Sequence, residues 1–152
     1  MMDTRELAQL AMESGAYRDI ELDILIDTLD SWKAGPGRPY FLVEVQDDRR
    51  PAGFCLFKRA SDTEFTFDIH TFLVGRQYRC KGPADRLLEL VIEEVLLSAR
   101  SAMIRVEIST IKESAVEPGF FPAHGFGILG HIPDFYSPGN DYWIYARRTS
   151  RS

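Results

Sequence analysis

The sequence predicts an α+β protein, α/β in looser usage: a mixed, mostly antiparallel sheet with one central parallel crossover and helices on both faces. Three observations carry this. Several short apolar runs follow the two-residue alternation of strands, and polar turns separate them. One long stretch, from Ala84 to Ala99, instead repeats its apolar residues three and four apart, as a helix does. That helix lies between two apolar runs, and a strand, a helix and a further strand in this order make a parallel crossover.

Taken in order, the stretch from Met1 to Trp32 reads as two helices. Leu7, Leu10 and Ala11 give the first a narrow apolar face, and Gly15 ends it. Ile20, Leu22, Ile24, Leu25, Thr28, Leu29 and Trp32 give the second a broader face. Lys33 to Pro39 is a loop around Gly35-Pro36-Gly37. Tyr40–Val45 and Gly53–Lys58 are strands joined across the polar turn Gln46–Arg50, an antiparallel hairpin. Ala60–Thr63 is a turn and Glu64–Val74 a long strand. A polar turn, Gly75 to Gly82, leads into the helix with Ala84, Leu87, Leu88, Val91, Ile92, Val95 and Ala99 on one face. In Met103–Ile108, Ile104, Val106 and Ile108 alternate with Arg105 and Glu107. Phe126–Ile132 and Tyr142–Ala146 form a last hairpin across Ser137–Asp141, and 147–152 is expected to be a frayed tail.

A chain of 152 residues is enough for one domain with a sizeable core, and no repeat or linker divides 1–152. Hydrophobic residues make up 45% and charged residues 27%, the balance of a soluble globular protein. The net charge of −5 argues against nucleic acid as a partner, yet leaves room for a small polyanion at a local Arg/Lys cluster. Asp3 and Glu6 interrupt any secretory signal, and no apolar run approaches the ~20 residues of a membrane span. With only Cys55 and Cys80, the expectation is a cytoplasmic protein with reduced thiols. Cys80 reads as a small loop residue, since no His–Asp arrangement accompanies it.

The turn before the long helix is the most informative stretch. Gly82 needs no Cβ clearance, and Pro83 gives up an amide that has no helical partner at that position. The exposed amides, Arg79, Lys81 and the positive end of the helix converge on one place, which attracts phosphate. Arg79-Cys80-Lys81-Gly82-Pro83-Ala84 resembles the Arg/Gln-x-x-Gly-x-Gly/Ala loop of the GNAT acyl-CoA-dependent N-acetyltransferases. The resemblance extends along the chain. Pro51–Phe57 and Thr66–Val74 look like the family's third and fourth strands. Phe120–Phe126 is similar to its Phe-Tyr-x-x-x-Gly-Phe helix ending. Ile132–Asp141 resembles a loop of one branch. The strand that opens the family fold has no counterpart ahead of the two helices.

The resemblance implies a GNAT-like fold, acetyl-CoA or another acyl-CoA as cosubstrate, no metal, and a small amine as acceptor. It allows a homodimer without requiring one. It places the pyrophosphate on Arg79, Cys80, Lys81, Gly82, Pro83 and Ala84. The backbone of Phe72, Leu73 and Val74 would face the pantetheine arm and the thioester carbonyl. Asp68, six residues before Val74, matches the place of a Glu base in some members.

Acyl transfer to an amine also needs an oxyanion donor, a path for the amine proton and a proton donor for the leaving thiolate. Strand alternation sets Asp68, His70 and Phe72 on one face. A carboxylate near 3.9 is a weak base for an ammonium, whereas His70 has the better intrinsic range, about 6.5. Structural hydrogen bonding within the sheet is the alternative for both. The family's usual Tyr general acid is Phe121 here, which has no hydroxyl. Pro118, Gly119 and Pro122 predict a short or kinked last helix, and Ser114 stands where the family has an Asn contact to coenzyme. Tyr78 or Tyr136 could supply a hydroxyl, Tyr136 otherwise serving as a lid or packing residue. His124 reads as a helix C-terminal residue and His131 as a strand end, neither with a partner legible in sequence. Two readings follow: an N-acetyltransferase, or a catalytically weak GNAT-like module that binds acyl-CoA or a protein partner. A third, an interaction protein with no coenzyme, requires the loop match to be accidental.

Overall fold

In a computed structural model, which describes residues 3–35, 39–79, 82–110 and 119–151, two helices come first. Asp3 starts α1 (Thr4–Ser14) by accepting the Arg5 amide at 2.9 Å, and Gly15 ends it in the left-handed region at φ 72°. Arg76 donates to the Ser14 carbonyl at 2.7 Å, so a cation sits on the negative end of α1. Glu21 reaches back to the Arg18 amide at 3.0 Å and caps α2 (Asp19–Lys33). The face of α2 is narrower than its periodicity predicts. Leu25, Thr28 and Leu29 are buried, while Ile20 and Ile24 are 62% and 52% exposed.

Six strands follow: β1 (Tyr40–Asp47), β2 (Arg50–Arg59), β3 (Thr66–Val74), β4 (Ser101–Ser109), β5 (Gly127–Ser137) and β6 (Asn140–Ser150). They form one sheet in the order β1-β2-β3-β4-β6-β5. β3 and β4 are parallel, and every other neighbouring pair is antiparallel. The parallel pair is bridged by α3 (Pro83–Ser98), the predicted crossover. Asp48 and Arg49 both have positive φ at the β1–β2 turn, the backbone that matches the right-handed twist of a hairpin.

The sheet divides the core in two. α3 and the short α4 (Phe120–Ala123) cover one face over Phe57, Phe67, Leu87, Val91 and Ile104. α1 and α2 cover the other, where Leu7, Leu25 and Leu29 meet Phe54, Leu56 and Leu73. α4 is the short element its prolines predict; Pro118 and Ser114 lie outside the described residues.

Two expectations change at the C-terminal end. The last hairpin is longer than its apolar runs suggest, because Asp134 and Asp141 stitch the far half together. Asp141 Oδ1 accepts the Asp134 amide at 2.9 Å, and Asp134 Oδ1 accepts the Gly139 amide at 2.8 Å. The expected tail is also ordered as far as Arg151. β4 offers its whole edge, so β6 pairs as far as Ser150 with Ser101, and Arg151 then bonds the Arg100 carbonyl at 3.0 Å.

Candidate active-site cleft

β3 and β4 pair from Thr66–Met103 to Ile69–Val106 and then part. The cause is local to β3. Against β2, Phe57 matches Ile69 and Leu56 matches Thr71, which leaves His70 as an extra residue. Such a bulge bends its strand and ends pairing on the far side. β4 meanwhile stays with β6 as far as Ser109. Among the described residues, the edge of Phe72, Leu73 and Val74 that turns away from β2 therefore has no strand beside it, and a cleft opens there.

The bulge also corrects the face assignment. Phe67, Ile69, Phe72 and Val74 all lie in the α3-side core, and Leu73 lies on the α1–α2 side. Phe72 thus does not share a face with Asp68, because the extra residue inverts the alternation beyond it.

At the α3 end of the cleft, Arg76–Tyr78 makes one turn of 3₁₀ helix and Arg79 is extended. Arg79 Nε reaches the Val74 carbonyl at 3.4 Å. Its Nη2 is buried with no hydrogen-bond acceptor among the described residues. A buried guanidinium nitrogen without an acceptor is costly, and an anion would satisfy it. Gly82 has φ 106°, and, its chain neighbours aside, no atom of the described residues lies within 4 Å of the place a Cβ would take. Pro83 starts α3, and Ala84 is buried behind it. This is an open helix N-terminus beside an under-satisfied cation, which fits a pyrophosphate. Cys80 and Lys81 lie outside the described residues.

At the other end, two cavities of about 670 and 320 Å³ share Glu107 and Tyr136 as walls. The larger is bounded by the α1–α2 turn with Tyr17, by Glu21 of α2 and by the tip of the β5–β6 hairpin. The smaller is bounded by Lys58, Asp68, His70 and Arg105. Both oxygens of Asp68 receive the Arg105 guanidinium, at 2.7 and 2.8 Å, and the pairing raises the Arg105 pKa. A carboxylate so engaged positions its partner rather than serving as a free base. His70 Nδ1 is 2.9 Å from Thr71 Oγ1, and its ring meets the edge of Tyr40.

Sequence reasoning passed over two residues here. Glu107 stands on the same face as Arg105 and Ser109, and burial together with the Glu107 charge raises the pKa of the Tyr142 phenol. The signal for Glu107 was the polar position in the β4 alternation. Tyr17 had no sequence signal, since only the α1–α2 turn brings it over the parted strands. Burial pushes the Tyr17 phenol well up, against the pull of Arg79, so it is a proton-bearing donor at neutral pH. Partial burial, Glu107 and Glu21 raise Tyr136 as well.

Phe121 is 5% exposed and packs with Phe72, Phe120 and Phe126, at centroid distances of 5.4, 5.2 and 5.1 Å. The remaining histidines have partners. His124 bridges the Phe120 carbonyl and Asp85, both at 2.8 Å, tying α4 to the first turn of α3. His131 stacks on Trp143 and meets Asp141 at 2.6 Å. Among the described residues no group of three His, Cys, Asp or Glu side chains could hold a metal, and no helix is long and apolar enough to cross a membrane.

The Acetyltransferase (GNAT) family matches residues 4–126. An acetyltransferase assigned to the GNAT family, from Desulfovibrio desulfuricans, is 25% identical, with 97% of this chain and 92% of that one covered at a TM-score of 0.84. An aminoglycoside 6'-N-acetyltransferase complexed with coenzyme A is 14% identical and shares the fold at a TM-score of 0.75, over 97% of this chain and 92% of that one. The ribosomal-protein-S18-alanine N-acetyltransferase from Escherichia coli, 16% identical, does so at 0.71, over 100% and 92%. No curated protein sequence gives a significant match.

Proposed function

The chain belongs to the GNAT family of acetyltransferases, and we propose that it moves an acyl group, most simply acetyl, from coenzyme A to the nitrogen of an amine. The observation that carries this reading is the parting of β3 from β4 at the His70 bulge, beside the open N-terminus of α3.

Bound acyl-CoA would supply an activated thioester. Arg79, the amides from Gly82 onward, and Cys80 and Lys81 of the same loop would hold its pyrophosphate. The unpaired edge of Phe72–Val74 would carry the pantetheine arm and offer an amide to the thioester oxygen. On the acceptor side, Glu107 would attract the ammonium and take its proton, directly or through water. Asp68 would keep Arg105 in place beside it. Tyr17 and Tyr136 have the hydroxyls that Phe121 lacks. Overall the N–C bond forms and the thioester C–S bond breaks; of the two protons the ammonium gives up, one passes through Glu107 to water and the other balances the proton that sulfur gains.

Calorimetry with acetyl-CoA tests the grip. Wild type should bind, and Arg79→Ala should bind more weakly by about ten- to a hundredfold, as for a lost charge-assisted contact of ~1.5–3 kcal/mol. Equal affinity in a folded Arg79→Ala protein would remove the coenzyme site from this loop. One observation favours a second reading, a coenzyme-binding module with little catalysis: Phe121 sits among aromatic rings where the family has its acid. Release of free thiol from acetyl-CoA on adding amines separates the two.

A further inference from the structure

We propose that Tyr17 is the proton donor to the departing coenzyme thiolate, reaching the sulfur from the face of the sheet opposite Phe121. This rests on the acyl-transfer reading and assigns a catalytic residue to the same cleft.

Elimination is the first argument. The leaving sulfur needs a group that bears a proton at neutral pH and faces the parted strands. Phe121 has no hydroxyl and is closed in by Phe72, Phe120 and Phe126. Of the six tyrosines, only Tyr17 and Tyr136 wall the two cavities. Tyr78 and Tyr145 pack against the α3-side core, Tyr40 against His70 and Tyr142 against Phe135.

Position separates the remaining two. Cys55 stands opposite Phe72 on β2, and Arg79 bonds the Val74 carbonyl, so both flank the unpaired edge along which the pantetheine arm would lie. The Tyr17 phenol is within electrostatic reach of Cys55 and Arg79, as well as of Glu21. Tyr136 instead feels Glu107 and Glu21, and it is 50% exposed. Tyr17 thus stands over the coenzyme half of the cleft and Tyr136 over the acceptor half. The turn that carries Tyr17 is also built to hold still. Ser14 Oγ donates to the Ala11 carbonyl at 2.6 Å and accepts the Ala16 amide at 3.2 Å. Arg76 donates to the Ser14 carbonyl at 2.7 Å, and a Cβ on Gly15 would come within 2.8 Å of its guanidinium. The donor is therefore fixed to the loop that would grip the pyrophosphate, and a pre-positioned donor costs no reorganisation when the bond breaks.

The chemistry agrees. Burial first, then Glu21 and Cys55, keeps the phenol protonated at neutral pH, while Arg79 favours the phenolate formed in the transfer. As the C–S bond breaks, the phenol gives its proton to sulfur. The phenolate recovers a proton through water from the nitrogen that becomes the amide, the second of the two that the ammonium loses. Tyr17 ends protonated, and the coenzyme departs as the thiol.

The test follows coenzyme A itself, so it needs no acceptor. The ultraviolet absorbance of the bound thiolate is titrated against pH on the intact protein, with the desulfo-coenzyme A complex as the blank. A phenol that donates to sulfur favours the thiolate. Tyr17→Phe keeps the ring and should make the bound thiol less acidic, by about ten- to a hundredfold in its ionisation constant. A merely structural residue would leave that titration where it was. Acetyl-CoA affinity should stay unchanged, and kcat with the fastest of kanamycin, spermidine and the dipeptide Gly-Phe should fall by about 10²–10⁴-fold. Where none of these amines is turned over, the titration decides alone. An unshifted thiol titration in a folded Tyr17→Phe protein would overturn the inference. So would a shift found with Tyr136→Phe in its place, or a wild-type kcat in Tyr17→Phe. A protein that binds no coenzyme A would instead remove the acyl-transfer reading beneath it.

Discussion

At Phe121 the question is what a single hydroxyl would meet. The ring is buried among Phe72, Phe120 and Phe126. Phe121→Tyr should therefore bury an oxygen among aromatic neighbours, lower stability by about 1–3 kcal/mol and leave acyl transfer no faster. Chemical denaturation and a thiol-release assay check both halves, and a faster enzyme would mean the ring does face the sulfur. Glu107→Gln keeps size and hydrogen-bonding capacity but removes the charge. It should lower kcat by about 10²–10⁴-fold, as loss of a general base does, with acetyl-CoA affinity retained. Gly82 has φ 106° and open space around it. In Gly82→Val the strain comes from the backbone, and the new side chain fills the place expected for phosphate. The variant should lose about 1–2 kcal/mol of stability and most of its coenzyme affinity. Wild-type affinity in a folded Gly82→Val protein, measured by calorimetry, would move the phosphate site elsewhere.

Among the elements, the β5–β6 hairpin has the clearest dependence on pH. The amide of Asp134 and the ring of His131 both bond Asp141 and hold its carboxyl below the usual range. A depressed folded-state pKa contributes stability above the unfolded value of about 3.9, which is lost as pH falls through the folded one. The hairpin should loosen in that acid window. Because His131 stacks on Trp143, tryptophan fluorescence should report it, and Asp141→Asn should flatten the response. β3 teaches a different lesson. Its alternation was legible, and so was the helix that follows it, since both periodicities are written in neighbouring residues. The bulge at His70 was not, because a bulge exists only relative to a partner strand. Asp68 was legible as a polar residue on a strand and illegible as half of an ion pair. Arg105 is 37 residues away and arrives only through the parallel crossover.

The whole molecule should register its coenzyme. Ligand at 100 times its dissociation constant adds about 2.7 kcal/mol to a fold that binds it only when native. For a chain of this length that is a rise of roughly 5–10 °C in melting temperature, at about 2–4 °C per kcal/mol. A thermal scan with acetyl-CoA and with free coenzyme A reads it directly, and no rise with either would contradict a pre-formed site. The same scale explains how the cleft is assembled. α1 is fastened to the loop after β3 by Arg76, which carries Tyr17 across the opening. α4 is fastened to the start of α3 by His124 and Asp85.

By itself the sequence determined the order and type of the elements and the crossover, and it singled out the turn from Arg79 to Ala84 as a candidate anion site. Periodicity, turn chemistry and helix-end polarity act over a few residues, so they can be read without a fold. Only the tertiary structure decided that β3 leaves β4 at His70, that Arg105 occupies Asp68, and that Glu107, Tyr17 and Tyr136 share one cleft. Each of these depends on which distant segment lies alongside, and the packing of both sheet faces at once selects that arrangement.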